Sequence, residues 1–160
     1  MSPLGWLLGL VLPACGAPGA QGLPVPPRMD IAHITRPASP NTALAAPDGF
    51  IPRPDIVTRP YPVPQARLYA AITATARAQP RTYPAAEYLD TFQAHFVVRS
   101  AVFNFPDLVM AQVQPAGAGQ STIVLYSRSV YGYSDLGTNR ARLQAWLAEL
   151  TPKLNPARER

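Results

Sequence analysis

The residues most able to do chemistry in this chain crowd into one stretch, Ser127-Arg128-Ser129-Val130-Tyr131-Gly132-Tyr133-Ser134-Asp135-Leu136-Gly137-Thr138-Asn139-Arg140. Within it, Gly132-Tyr133-Ser134-Asp135-Leu136 has the outline of a nucleophile elbow, which presents a serine on a sharp strand-to-helix turn. The outline is incomplete, because that motif needs glycine where Leu136 stands and its host fold needs a much longer chain. A serine nucleophile also needs a base, and the two histidines, His33 and His95, lie far from Ser134 in sequence. Helix capping is the plainer reading: Ser134 and Asp135 accept orphan N–H groups, and Gly137 permits close packing. A third reading places an anion at the helix start, with Ser134, Thr138 and Arg140 as donors and Arg99 and Arg128 reaching in from strands. The carboxylate of Asp135 already competes for that position.

Alternation along the preceding strand puts Ser127 and Ser129 on one face with Ile123 and Leu125, and Val124, Tyr126, Arg128 and Val130 on the other. Both faces are apolar, so the sheet should be covered on both sides, and buried serines there should bond to neighbouring turns. Asp107, in Asn104-Phe105-Pro106-Asp107, reads as a turn former. No ligand set for a metal is evident, since the chain offers two distant histidines and one cysteine. Gly117 and Gly119 fall in a hairpin rather than a phosphate loop, so no cofactor is expected. Phe96, Phe103 and Phe105 are read as core rather than as a platform for nucleic-acid bases.

The elements that must position these residues follow from pattern. A helix is expected over residues 65–79, with Leu68, Ile72, Thr75 and Ala76 on one face and Pro80 ending it. Strands are expected at residues 82–89, 95–102, 108–114 and 122–129, rich in β-branched and aromatic residues and joined by short turns. A second helix over residues 136–150 carries Leu143, Trp146, Leu147 and Leu150 as its buried stripe, and Pro152 closes it. The expected fold is therefore α+β: a four-stranded antiparallel meander flanked by two helices, preceded by a proline-rich irregular segment. A short strand is expected near residues 55–59.

Fourteen of the twenty prolines lie before Gln65. No charged side chain precedes Arg28, and residues 4–12 form an apolar run of signal-peptide length. That run leads into Leu12-Pro13-Ala14-Cys15-Gly16, similar to a bacterial lipobox, in which the cysteine becomes lipid-modified after cleavage. The organisation expected is a leader at 1–15, a proline-rich tether at 16–36, one domain at 37–152 and a basic tail at 153–160. The net charge of +5 comes from scattered arginines and does not mark a nucleic-acid footprint.

The stretch from Arg99 to Leu150 resembles the bacterial family known as domain of unknown function 1499. The resemblance is carried by Ser127-x-Ser129, by Gly132-x-Ser134-Asp135-Leu136-Gly137, by Asn139-Arg140, by Arg99-Ser100, by Phe105-Pro106-Asp107 and by Ser39-Pro40-Asn41. Val130 stands where many members have arginine, Leu108 replaces a second aspartate, and the cysteines often flanking the Pro-Asn signature are missing. The resemblance implies envelope or membrane association and supplies no catalytic assignment. The functional expectation is a membrane-tethered, non-catalytic envelope module that binds a protein, lipid or wall component, anchored by lipid at Cys15. Its candidate site is one polar cluster of Arg99, Asp107, Ser127, Ser129, Ser134, Asp135, Asn139 and Arg140. The alternative is a small envelope hydrolase using Ser127, Ser129, Ser134 and Asp135.

Overall fold

In a computed structural model that describes residues 12–154, the core is one six-stranded mixed sheet in the order β2-β1-β6-β5-β4-β3. The strands are β1 (Thr42–Pro47), β2 (Ile56–Thr58), β3 (Thr82–Tyr88), β4 (Gln93–Arg99), β5 (Pro106–Pro115) and β6 (Ser121–Ser129). Three helices accompany them: α1 (Pro13–Gly16), α2 (Gln65–Ala78) and α3 (Thr138–Leu154). Strands β3 to β6 form the expected antiparallel meander. The meander is only part of the sheet, however: the short strand expected near residues 55–59 is β2, and the segment read as irregular also contributes β1. Strand β1 pairs antiparallel with β6 and parallel with β2.

Strand β1 escaped the pattern because alanine is a poor strand former by propensity. Here its small side chains are what the position demands. Ala43 and Ala45 face the helices, and Leu44 and Ala46 join the core on the opposite face. Its parallel partner is reached by a short connection, residues 48–55, and Asp55 compensates for the missing ladder there. The Asp55 carboxylate accepts the Leu44 N–H at 2.8 Å, its own N–H reaches the Leu44 carbonyl, and Arg36 neutralises it at 2.8 Å. Proline appears at edge positions, as sheets require: Pro84 lies in edge strand β3, beside the register shift between Pro84 and Ala86.

Helices α2 and α3 cover the same face of the sheet. Leu68 and Ile72 from α2 meet Leu143, Trp146 and Leu150 from α3 over Phe96, Val109, Ile123 and Leu125, with the Phe96 and Trp146 rings edge to face. Helix α3 runs through Pro152 instead of ending there. Its last turn seats Leu154 in the core, and Lys153 donates to Thr75 Oγ1 at 3.0 Å. It also begins at Thr138 rather than 136, because Leu136 and Gly137 adopt left-handed backbone conformations.

The second face is covered by largely extended chain, with one 3-10 turn at Ile31–His33 capped by Asp30. Ile31 and Ile34 pack with Leu44, Met110, Val124 and Tyr126. Residues 16–36, read as a tether, run along this face and are held at several points. Tyr88 Oη donates to the Pro26 carbonyl at 2.8 Å, and the Gln93 amide grips both the N–H and the carbonyl of Met29 at 2.8 Å. Arg28 pairs with Asp90 and lies over the Tyr88 ring. Residues 1–11 of the segment read as a leader (1–15) and residues 155–160 of the segment read as a basic tail (153–160) lie outside the described residues.

His95 is buried in this second layer, and its Nε2 hydrogen-bonds to Gln93 Oε1 at 2.8 Å. Gln93 Oε1 also accepts the Met29 N–H, so the imidazole donates from Nε2 and leaves Nδ1 unprotonated. Burial pushes the imidazole down from 6.5 to about 4. Above the unfolded-state value both states are neutral and His95 contributes nothing to pH dependence. As pH falls from 6.5 towards about 4, the unfolded chain takes up a proton that the folded chain refuses. The expected loss of stability over that window is on the order of 3 kcal/mol. Urea unfolding at the two ends of the window measures it, and His95→Gln should remove this share of the loss.

Candidate functional site

The polar cluster is built around Asn139, which is fully buried on the second residue of α3. Its Nδ2 donates to the Asn41 carbonyl at 2.9 Å and to Ser129 Oγ at 3.1 Å. Its Oδ1 accepts from Ser127 Oγ and from Arg142 Nη1. The side-chain amide therefore uses both donors and both acceptor sites, as a polar group without access to water must. Arg142 extends the network: Nη1 also donates to Ser127 Oγ at 2.9 Å, and Nη2 pairs with Asp107 Oδ2 at 2.6 Å. The Arg142 and Asp107 side chains are only 12% and 13% exposed, so this ion pair is largely shielded from solvent.

Asn41 closes the network from the other side. Its Nδ2 donates to the Gly132 carbonyl at 2.8 Å, its backbone carbonyl accepts from Ser129 N and Asn139 Nδ2, and Ser39 Oγ donates to its Oδ1. Asp135 holds the helix start, with Oδ1 accepting the Gly137 N–H at 3.0 Å and Oδ2 the Asn139 N–H at 2.8 Å. Ser134 Oγ accepts the Leu136 N–H at 3.3 Å. The carboxylate thus occupies the position where an anion would sit, and the two residues act as the cap and turn their types suggest.

The candidate residues separate into three places. Asp107, Ser127, Ser129 and Asn139 meet in the buried network, and Asp135 joins it through the Asn139 backbone. Ser134 and Arg140 stay on the exposed rim, beside a polar hollow that also includes Arg36, Thr42 and Asp55. Arg99 is elsewhere: it lies at the end of β4 on the opposite face of the sheet. Its guanidinium donates to the carbonyls of Gly19 at 2.8 Å, Gln21 at 2.7 Å, Asn104 at 3.1 Å and, from Nη1, Ala14. Asn104, in a left-handed conformation, donates from Nδ2 to the carbonyls of Cys15 at 2.6 Å and Ala17 at 3.1 Å. Burial raises the Cys15 thiol against the opposing charge of Arg99, and burial in turn lowers Arg99.

Two members of the network were missed in the sequence. Arg142 was passed over for Arg140, yet helical geometry puts position 142, not 140, on the same face as Asn139. Asn41 was recognised only as part of a signature. Neither histidine joins the serines: His33 is exposed and bonds to Asp30, and His95 sits with Gln93 on the far face. Among the described residues no group of three histidine, cysteine or acidic side chains could hold a metal ion.

A six-stranded mixed sheet with two helices on one face, locked at its end by a buried Asn–Arg–Asp network, defines a small α+β module. Residues 34–150 match the family model described as Protein of unknown function (DUF1499), and the chain belongs to that family. No curated protein matches it.

Two substitutions probe the network. Arg142→Ala should cost about 2–4 kcal/mol, because it strands the Asp107 carboxylate and a shared acceptor in a shielded site. Pairing it with Asp107→Ala should restore part of that loss, which a double-mutant cycle in urea measures. Asp135→Ala should cost about 1 kcal/mol through the lost cap; a cost below ~0.5 kcal/mol would refute capping.

Proposed function

We propose that this chain is a non-catalytic module of the bacterial envelope, tethered to a membrane through Cys15. The observation that carries the reading is the closure of the polar network. Ser127 donates its hydroxyl to Asn139 and accepts from Arg142, Ser129 Oγ accepts from Asn139, and Asp107 pairs its carboxylate with Arg142. A nucleophile needs a base at its hydroxyl and an open approach for substrate. Here the serines hold α3 to the sheet, and the partners they touch are amide and guanidinium groups that accept no proton. The cluster therefore acts as a latch, with Ser134 and Arg140 on its rim free to meet a partner.

The tether follows from the lipobox-like Leu12-Pro13-Ala14-Cys15-Gly16 and the apolar run before it. Acylation makes a demand on the fold. Cys15 has no exposed surface, so a lipid-bearing sulfur has to leave that seat. Arg99 would keep Gly19 and Gln21 after the residues before Cys15 are removed, so the domain would remain docked on the chain that leads to its anchor.

One experiment examines both halves of the reading: intact-mass analysis of protein from the membrane fraction, before and after exposure to a fluorophosphonate, beside a Cys15→Ala variant. The expected result is a chain beginning at lipid-modified Cys15, no fluorophosphonate adduct, and a variant that is unprocessed or released. An unmodified soluble chain retaining Met1 would overturn the tether. An adduct on Ser127, Ser129 or Ser134 would overturn the non-catalytic reading in favour of a hydrolase.

A further inference from the structure

The face of the sheet turned away from the helices holds a cavity of about 370 Å³, within the range of small-ligand sites of roughly 300–1,000 Å³. Leu23, Pro24 and Pro26 form its outer wall, and Leu108, Met110 and Val130 its floor. This outer wall is a proline-rich strap tied down at Pro26, Arg28 and Met29 by the contacts to Tyr88, Asp90 and Gln93. Proline has little conformational freedom to lose, so the wall is in place before any ligand arrives.

Two arginines line the cavity, and they differ. Arg28 is committed to Asp90 and the Tyr88 ring. Arg128 is exposed, lies in β6 opposite Leu108 of β5, and its guanidinium makes no hydrogen bond or ion pair among the described residues. It lines both the apolar cavity and the polar hollow beside it that contains Arg36, Thr42 and Ser129. An apolar chamber with an uncommitted cation at its border complements one kind of molecule: a hydrocarbon chain that ends in negative charge. His95 also lines the cavity, with Nδ1 left as an acceptor, and its low proton affinity keeps a further positive charge out of the apolar wall.

We propose that this cavity binds a single-chain anionic amphiphile, with the hydrocarbon under the strap and the head group on Arg128. The proposal rests on the reading of the chain as a non-catalytic binding module and is independent of the tether. It is tested with the full chain carrying Cys15→Ala, so that no acyl group of its own competes. The fluorescent fatty acid cis-parinaric acid is titrated in, then displaced by dodecanoate or by dodecyltrimethylammonium below their micelle concentrations. Saturable fluorescence that dodecanoate abolishes and the cationic amphiphile does not is expected. Arg128→Ala should weaken parinarate binding about tenfold. Leu108→Trp, which fills the chamber from a half-buried position, should abolish binding without lowering the unfolding temperature.

Absence of saturable binding, equal displacement by the two competitors, or undiminished binding to a folded Leu108→Trp variant would overturn the proposal. A fluorophosphonate adduct would end the non-catalytic reading while leaving parinarate binding as measured, so the two ideas fail separately.

Discussion

The ion pair between Asp107 and Arg142 sits where distant pieces of chain have to meet. Asp107 lies at the start of β5, Arg142 in the first turns of α3, and the Ser127 that Arg142 also touches near the end of β6. Two charges in a shielded place are unfavourable apart and tolerable together, so the pair admits only one docking of helix on sheet. Asn139 transmits that constraint to β1 through the Asn41 carbonyl. The apolar core below, from Leu143 to Leu154, supplies the bulk of the driving force, but greasy contacts alone would permit sliding. The polar network removes that freedom.

The two faces of the sheet are organised on different principles. Under the helices the filling is large and interlocked, with Trp146 against Phe96. The other face is sealed by an extended strap whose own backbone groups must find partners, because no helix satisfies them internally. Gln93 and Tyr88 meet that need by bonding directly to strap backbone, and Arg99 and Asn104 do the same further upstream. Side chains of the sheet thus stand in for the missing ladder, and the fit between strap and sheet is looser than helix on sheet. The chamber under the strap remains on this side.

Much of this was legible in the sequence, and the parts that were not share a cause. Helix α2, the four meander strands and the stripe of α3 follow from local periodicity, which a single chain carries openly. The two-sided burial of β6 was visible in the alternation around Tyr126. Strand β1 was hidden because Ala43, Ala45 and Ala46 lack strand propensity and become sensible only between two packed layers. Of the candidate residues, Asp107, Ser127, Ser129 and Asn139 meet in space, whereas the pleat sends Arg99 to the other face. Arg140, next to Asn139 in sequence, is turned away from it by a helical rotation of about 100°, whereas Arg142, three residues on, returns to its face.

The grip of Arg99 and Asn104 on the first described residues has a mechanical side. A pull applied at Gly16 does not peel the sheet from its edge, because the load arrives first at several hydrogen bonds fanning out from two side chains. Those bonds share the strain in parallel, and they deliver it to the end of β4, which has neighbours on both sides. Arg99 and Asn104 therefore serve as a strain relief, like the collar where a cable enters its plug. The latch at the far face and the chamber beneath the strap are shielded from tugging on the chain that precedes them.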